Sequence, residues 1–162
     1  MSILDICRKR WSVRKFTGEP LSAADLEYLK EVGRWAATSR NRQARRFVVV
    51  HDRDNIRSLV EEAKMQDFVE SAGALIFGVA EDGSSGSKVD VVISLTQMEM
   101  AAVEQGLGTI WLGIWDRDVV RRRLEIPGGM APVVALAIGQ SAEVGSPRKK
   151  LPVEDLFRSE TF

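Results

Sequence analysis

The sequence has very little cysteine or histidine chemistry to offer. Cys7 is the one cysteine and His51 the one histidine in 162 residues. A single cysteine excludes an internal disulfide and a cysteine-rich metal site, and a single histidine argues against a histidine-based metal site. His51 follows the apolar run RFVVV and precedes DRD, which reads as the end of a strand. A surface role for His51 is therefore favoured over a catalytic one.

The chain also lacks net charge and an N-terminal apolar run. Lys and Arg total 23, as do Asp and Glu, so no overall field attracts nucleic acid or an anionic membrane. The first residues, MSILDICRKR, contain no signal-peptide apolar stretch, and the default expectation is a cytoplasmic protein. Hydrophobic residues make up 44% and charged residues 28%, the mix of a globular chain. We expect one domain over residues 1–162.

Helical and strand-like segments alternate along the chain. We predict a short helix at 3–9, a helix after an N-cap at Ser22, and a short helix in the tail. Between them, the apolar patterns predict four strands and two further helices. The strands are RRFVVVHD, ALIFGVAE, TIWLGIW and APVVALAIGQ, and the helices are DRDNIRSLVEEAKM and DRDVVRRRLEI. This order, without an internal repeat or a long linker, indicates an α/β or α+β fold.

The longest predicted helix spans residues 88–108 and is apolar around most of its circumference. A helix with a single core-facing stripe does not need so many apolar residues. Charged residues interrupt the run and argue against a membrane span. Two interpretations remain open: a central helix of the core, or a helix that packs on its own sheet and also on a second subunit.

Four basic segments stand out, at 8–15, 39–46, 121–123 and 148–150. Each is compatible with a solvated surface, and that interpretation is favoured for 121–123 because arginines stabilise the last turn of a helix. The other three fall in predicted loops, where cations can converge on an anion. If residues 8–16 are extended, Arg10, Ser12 and Arg14 share one face, and guanidinium and hydroxyl donors suit a phosphate.

Common catalytic motifs are missing. The sequence has no G-x-S-x-G elbow, no P-loop and no H-E-x-x-H. Gly106, Gly108 and Gly113 do not have dinucleotide-binding spacing, and the helix precedes them, so a Rossmann fold is excluded.

The segment from RKRWSVRKF to SRNRQ resembles the opening of the nitroreductase family of FMN-dependent oxidoreductases. That family has Arg-x-Ser-x-Arg/Lys-x-Phe, a helix, and Ser-x-Asn-x-Gln before a strand. The matching residues here are Arg10, Ser12, Arg14, Phe16, Ser39, Asn41 and Gln43. The resemblance continues through EQGLGTIWLG, LEIP, PVVALAIG and PRKKLP, and covers nearly the whole chain.

The resemblance implies an α+β fold with a mixed, mainly antiparallel sheet flanked by helices. It also implies a homodimer with FMN at the subunit interface and the long central helix at that interface. Arg10, Ser12 and Arg14 would hold the phosphate and ribityl chain, with Arg148 and Lys150 closing on the phosphate. The backbone of Trp11 and Gly113 would contact the flavin. Three further residues would reach the flavin bound mainly by the other subunit: Ser39, Asn41 and Gln43.

The implied activity is ping-pong transfer of hydride from NADH or NADPH, through flavin N5, to a small planar acceptor such as a nitroaromatic or quinone. No protein acid or base is required, because the flavin carries the redox step. Two alternatives remain: a flavin-binding carrier or sensor with little turnover, and a nucleic-acid or partner-binding module using the arginines at 40–46. Zero net charge and the lack of interleaved aromatics argue against the last.

Several residues depart from the family pattern. Ala44 and Arg45 stand where the family often has Pro-Trp, and Ala37 replaces a frequent proline. Ile114 places a β-branched side chain where the family often has glycine, and Trp11 stands where Arg or His is usual. The sequence therefore predicts weaker flavin binding and an altered substrate pocket.

Overall fold

The computed structural model describes residues 1–145 and 148–162. Within these residues the chain forms six α-helices and four β-strands. In chain order they are α1 (Ile3–Lys9), α2 (Ala23–Trp35), β1 (Arg45–Val50), α3 (Arg53–Glu62), β2 (Ala74–Ala80), α4 (Ser85–Glu104), β3 (Gly108–Leu112), α5 (Arg117–Arg123), β4 (Ala131–Gly139) and α6 (Val153–Leu156). The predicted α+β fold is confirmed.

Side-chain caps fix where most of the helices begin. Ser2 accepts a hydrogen bond from the backbone N–H of Asp5, whose carboxylate in turn accepts from the backbone of Ser2, a reciprocal capping box. Ser22 starts α2, as the sequence predicts, and Asp52 starts α3. These caps satisfy N–H groups that a helix cannot pair internally.

The four strands form one sheet in the order β1-β2-β4-β3, and all three pairings are antiparallel. Strands β1 and β3 are the edges of this sheet. This agrees with the predicted mixed, mainly antiparallel sheet, and the one parallel feature in the described residues is an isolated bridge between Ser12 and Thr109.

Helices cover both faces of the sheet. One core cluster packs α3 and α5 against one face, and the other packs α2 and α4 against the opposite face. Every residue of β2 is buried, as its apolar sequence predicts. A Cβ on Gly78 would collide with Val91, so α4 approaches the centre of the sheet closely.

Two predicted boundaries are wrong. The long helix starts at Ser85 rather than at residue 88 and ends at Glu104, because Gly106 takes a φ of 80° that ends the helix. The strand predicted over TIWLGIW ends at Leu112. The pair Leu112–Ala135 is the last one between β3 and β4. Gly113 and Ile114 therefore leave the sheet and are exposed.

Helix α4 has features both of a central core helix and of a helix that also packs on a second subunit. Half of its twenty residues are buried in its own chain, among them Leu95 and Met98. Val89 and Val92 are 56% and 41% exposed, so apolar surface remains on the side away from the sheet. No helix in the described residues is long and apolar enough to cross a membrane.

Candidate functional site

The segment after α1 runs extended along the start of β3. Ser12 bridges Thr109, and the backbone N–H of Val13 donates to the Thr109 carbonyl at 3.0 Å. Val13 is fully buried, while Arg14 on the next position is exposed. Arg10 has extended backbone, with φ −63° and ψ 128°, and Ser12 forms a parallel bridge, so the chain is extended at these two residues, as the phosphate prediction requires.

Arg10 is anchored by a buried acid of α4. Its Nη1 lies 3.5 Å from Oε1 of Glu99, whose side chain is only 5% exposed. The hydroxyl of Thr109 donates to the same Oε1 at 3.1 Å. The side chain of Arg10 is 24% exposed, so Glu99 orients it without burying it fully.

Three of the predicted cofactor residues line one surface pocket. Trp11, Ser12 and Arg148 meet Val144 and Gly145 around a volume of about 300 Å³. A Cβ on Gly145 would overlap the indole of Trp11, which shows that the tail backbone lies directly against that ring. The structure thus places Arg148 of the tail beside Trp11 and Ser12.

Arg14 and Lys150 are exposed and do not line the pocket of Trp11, Ser12 and Arg148. Arg14 is exposed, and its backbone N–H donates to Oε1 of Glu143 at 2.7 Å. That carboxylate adds a negative charge beside the basic segment. Lys150 is exposed in the tail and does not line the Trp11 pocket.

The loop carrying Ser39, Asn41 and Gln43 lies at the other edge of the sheet. It leads into β1, whereas the Arg10 segment lies against β3, and two strands separate those edges. At about 4.8 Å per strand, the two groups are separated by roughly 14 Å within one subunit. All three loop side chains are exposed. The structure does not bring these residues together with the Arg10 segment in one chain.

This loop is strained and held in place. Arg40, Asn41 and Gln43 have φ values of 53°, 54° and 54°, in the left-handed region that costs energy for residues with side chains. The backbone N–H of Ser39 donates to both oxygens of Asp90, at 3.1 and 3.3 Å. Asp90 lies on α4 and is 3% exposed. The buried carboxylate therefore fixes the loop against α4.

Arg45, one of the basic residues that the sequence places in a loop at 39–46, is buried at the start of β1. Its side chain turns under the end of α2, where Nη2 donates to the carbonyls of Gly33 and Ala36 at 3.0 Å each. The residue is 7% exposed, and its Nε and Nη1 are buried without a partner. Burial lowers the pKa of Arg45, and the Asp90 carboxylate partly offsets this.

Gly113 and Ile114 form an open apolar edge at the end of β3. A Cβ on Gly113 would meet no atom within 4 Å, and Ile114 is 80% exposed. Thr109, at the start of the strand, holds the Arg10 segment. Four residues of strand separate Thr109 from Gly113, or about 14 Å. A basic group at one end of β3 and an open apolar edge at the other match a long ligand with a phosphate and a ring.

The residues present fit FMN on their chemistry. Guanidiniums and a hydroxyl suit the phosphate, and the tail adds Arg148 beside Ser12. Gly113 offers accessible backbone, and exposed Ile114 offers apolar surface to a ring. No group of three or more acidic, histidine or cysteine side chains in the described ranges is placed to hold a metal ion.

Comparison with known proteins identifies the family of the chain. The profile of the Nitroreductase family matches residues 7–74 and 58–140. The chain belongs to the nitroreductase family. An NADPH-dependent oxidoreductase from Staphylococcus epidermidis is 28% identical over 187 residues, covering 99% of this chain and 74% of that protein.

Solved nitroreductase structures share the fold. NfrA1 nitroreductase from B. subtilis is 25% identical, with a TM-score of 0.88 over 99% of this chain and 74% of the other. An FMN-dependent nitroreductase from Clostridium difficile is 20% identical, with a TM-score of 0.88 over 98% of this chain and 99% of the other. At that identity the second comparison shows the fold alone.

Sequence reasoning missed two buried acids that anchor the Arg10 segment and the loop at 38–43. Asp90 and Glu99 lie within the apolar run of α4, where two acids among buried residues are unusual. That contrast was the available signal, but the sequence alone does not name the partners. The buried role of Arg45 had no signal, since a basic residue at the start of a strand is ordinarily solvated.

Proposed function

We propose that the chain is an FMN-dependent oxidoreductase that takes hydride from NAD(P)H and passes it to a small planar acceptor. The observation that carries the proposal is the pocket of Trp11, Ser12 and Arg148 next to Arg10, in a chain of the nitroreductase family. The names of the S. epidermidis relative and the C. difficile structure supply the donor and the cofactor. The first acts with NADPH, and the second depends on FMN.

The protein residues in this proposal bind and orient. Arg10, Ser12, Arg14 and Arg148 hold the phosphate, and Lys150 adds positive charge from the tail. Glu99 keeps the Arg10 guanidinium in place, since it lies 3.5 Å away and is almost fully buried. FMN, when bound, supplies a hydride acceptor and donor, so no side chain needs to act as acid or base. Donor and acceptor would occupy the same position in turn, a ping-pong sequence.

A homodimer completes the site. Ser39, Asn41 and Gln43 lie at the far edge of the sheet from Arg10, so they serve a flavin bound mainly by the other subunit. Helix α6 has four residues, none of them buried, and so short a helix is not stable by itself. Several apolar side chains on α1 and on or next to α6 are exposed, as expected of surfaces that a second copy covers: Ile3, Leu4, Val153, Leu156 and Phe157.

One observation favours a second candidate, a flavin carrier or sensor with little turnover. Ile114 projects 80% exposed beside Gly113, where the family often has a second glycine. A β-branched side chain there narrows the space above the ring. Such a protein would bind FMN but react slowly with NAD(P)H.

The nucleic-acid alternative loses support. Arg45 is buried, Arg42 lies 3.4 Å from Asp82, and Arg46 lies 2.9 Å from Glu81. Cations already paired with acids present little positive field to a phosphate backbone. A cytoplasmic location stays a prediction.

An anaerobic absorbance titration tests the proposal. FMN is added to the purified protein, followed by NADPH or NADH, while the flavin bands are recorded. Bleaching of bound flavin is the expected result. Binding without bleaching would favour the carrier or sensor, and no binding would reject both. Replacing Arg10 and Arg14 together by Ala should weaken FMN binding by at least about tenfold, since each phosphate contact is a charged hydrogen bond.

A further inference from the structure

A second basic pocket lies at the end of the sheet near Gly113. Lys88 from the first turns of α4 and Arg117 and Arg121 from α5 line a volume of about 440 Å³. Its floor is the start of β4, and Asp118 contributes one carboxylate to its wall. The RRR motif at 121–123 was interpreted as a solvated helix end. In the structure its three members differ, since Arg121 faces this pocket and Arg123 pairs with Glu62 at 3.2 Å.

The two arginines of this pocket are fixed without being neutralised. Arg117 donates to the carbonyls of Pro132 and Val133, and its guanidinium lies 5.7 Å from the ring centre of Trp115. Arg121 donates through Nη2 to the carbonyl of Met130 at 2.9 Å. A carbonyl holds a guanidinium in place but leaves its charge uncompensated.

No carboxylate in the described part of the chain lies within 4 Å of the nitrogens of Lys88, Arg117 or Arg121. This contrasts with the arginines of the β1 edge, Arg42 and Arg46, which are each paired with an acid. Two arginines held in place and one exposed lysine around a concave volume form an arrangement that suits a phosphate dianion.

The position of this pocket points to its ligand. Leu112 at the end of β3 pairs with Ala135 of β4, so Gly113 leaves the sheet at the end where Pro132 and Val133 line the pocket. Arg117 follows Gly113 by four residues, which places their Cα atoms at most about 14 Å apart. An extended dinucleotide with its nicotinamide ring at Gly113 therefore reaches the pocket with its adenosine end.

We propose that Lys88, Arg117 and Arg121 bind the 2′-phosphate that distinguishes NADPH from NADH. The inference deepens the proposed function and rests on it for the identity of the dinucleotide. The three cations add attraction only for the donor that carries this phosphate, so they set donor preference and leave FMN binding unchanged.

Calorimetric titration with 2′,5′-ADP and with 5′-AMP tests the inference without any turnover. The two probes differ by the 2′-phosphate alone. We expect 2′,5′-ADP to bind at least about tenfold more tightly, and Lys88→Gln and Arg121→Gln each to remove most of that advantage. Arg122→Gln is the matched control, because Arg122 is exposed on the same helix and does not line the pocket.

The outcomes are distinct. Equal binding of the two probes would overturn the inference, and so would an equal loss in Arg122→Gln, which would indicate a general field. In the flavin-loaded protein, kcat/KM for NADPH should fall in Lys88→Gln while that for NADH and the FMN affinity stay constant. If neither donor bleaches bound flavin, the proposed function fails, while the comparison of 2′,5′-ADP with 5′-AMP still decides whether this pocket binds the 2′-phosphate.

Discussion

Asp90 and Glu99 lie nine residues apart on helix α4, and each holds a different half of the predicted flavin site. Nine residues are two and a half turns, so the two carboxylates project from opposite sides of the helix, about 13.5 Å apart along its axis. Asp90 accepts from the backbone of Ser39, and Glu99 lies against Arg10. One helix therefore sets the positions of both the Arg10 segment and the loop offered to the other subunit.

Neutralising each acid should disturb only its own half. Asp90→Asn weakens the anchor of the loop at 38–43, and Glu99→Gln removes the charge that orients Arg10. We expect faster amide exchange around Ser39 in the first variant and around Arg10 in the second, with several-fold weaker FMN binding in both. Hydrogen–deuterium exchange with mass spectrometry makes the comparison.

The control for this pair is Glu104→Gln on the same helix. Glu104 is exposed and accepts a hydrogen bond from the Tyr28 hydroxyl at 2.7 Å, away from both halves. Glu104→Gln should leave amide exchange unchanged both around Ser39 and around Arg10. Faster exchange at both segments in either acid variant would show that the halves are not held independently.

Replacing Arg45 should destabilise the fold by about 2–4 kcal/mol. Arg45→Ala removes the donor that pairs the carbonyls at the end of α2 and leaves a cavity at a site that is 7% exposed. Arg46→Ala is the control, since Arg46 is an exposed neighbour paired with Glu81 and its loss should cost less than about 1 kcal/mol. Urea unfolding measures both. Equal losses would contradict the buried role of Arg45.

The sequence was a good guide to the elements and a poor one to buried polar contacts. The cap at Ser22 predicts the start of α2 because capping depends on one residue and its neighbours. The end of β3 was missed because TIWLGIW stays apolar beyond Leu112, and only the pairing with β4 determines where the strand stops. Local patterns therefore decide what forms, while long-range pairing decides how far it extends.

The same contrast between local patterns and long-range contacts applies to the candidate site. The residue pattern alone pointed to a phosphate site at 10–14, the family resemblance added the tail, and the structure places Ser12 beside Arg148. The anchors Asp90 and Glu99 were missed because their partners are 51 and 89 residues away in sequence. Contacts of that separation depend on how α4 crosses the sheet, which no local pattern encodes.

Gly145→Ala should weaken FMN binding by distorting the pocket of Trp11, Ser12 and Arg148. The new methyl group would overlap the Trp11 indole, so either the ring or the tail must move. Overpacking of this kind costs about 1–3 kcal/mol of stability. Gly128→Ala is the matched control, because a Cβ there meets no atom within 4 Å. Equal FMN affinities in the two variants would show that the pocket does not hold the cofactor.

Acid should loosen the start of α4 through Asp82. Hydrogen bonds from the hydroxyls of Ser87 and Ser84 lower the pKa of Asp82 from 3.8 to about 2. A carboxyl group whose pKa is lower in the folded state stabilises the fold above its unfolded pKa, and that contribution is lost as pH falls from about 4 to about 2. Asp82→Asn should therefore be less stable than the parent chain at pH 7.

The difference between Asp82→Asn and the parent chain should shrink between pH 4 and pH 2, because the parent carboxylate becomes protonated over that range. Urea unfolding at several pH values measures it. A difference that stayed constant down to pH 2 would show that the amide disturbs the geometry of the helix start, and that the charge of Asp82 contributes nothing.

Since Lys88 follows Ser87 directly, the same variant should also weaken 2′,5′-ADP binding if an ordered helix start positions that lysine.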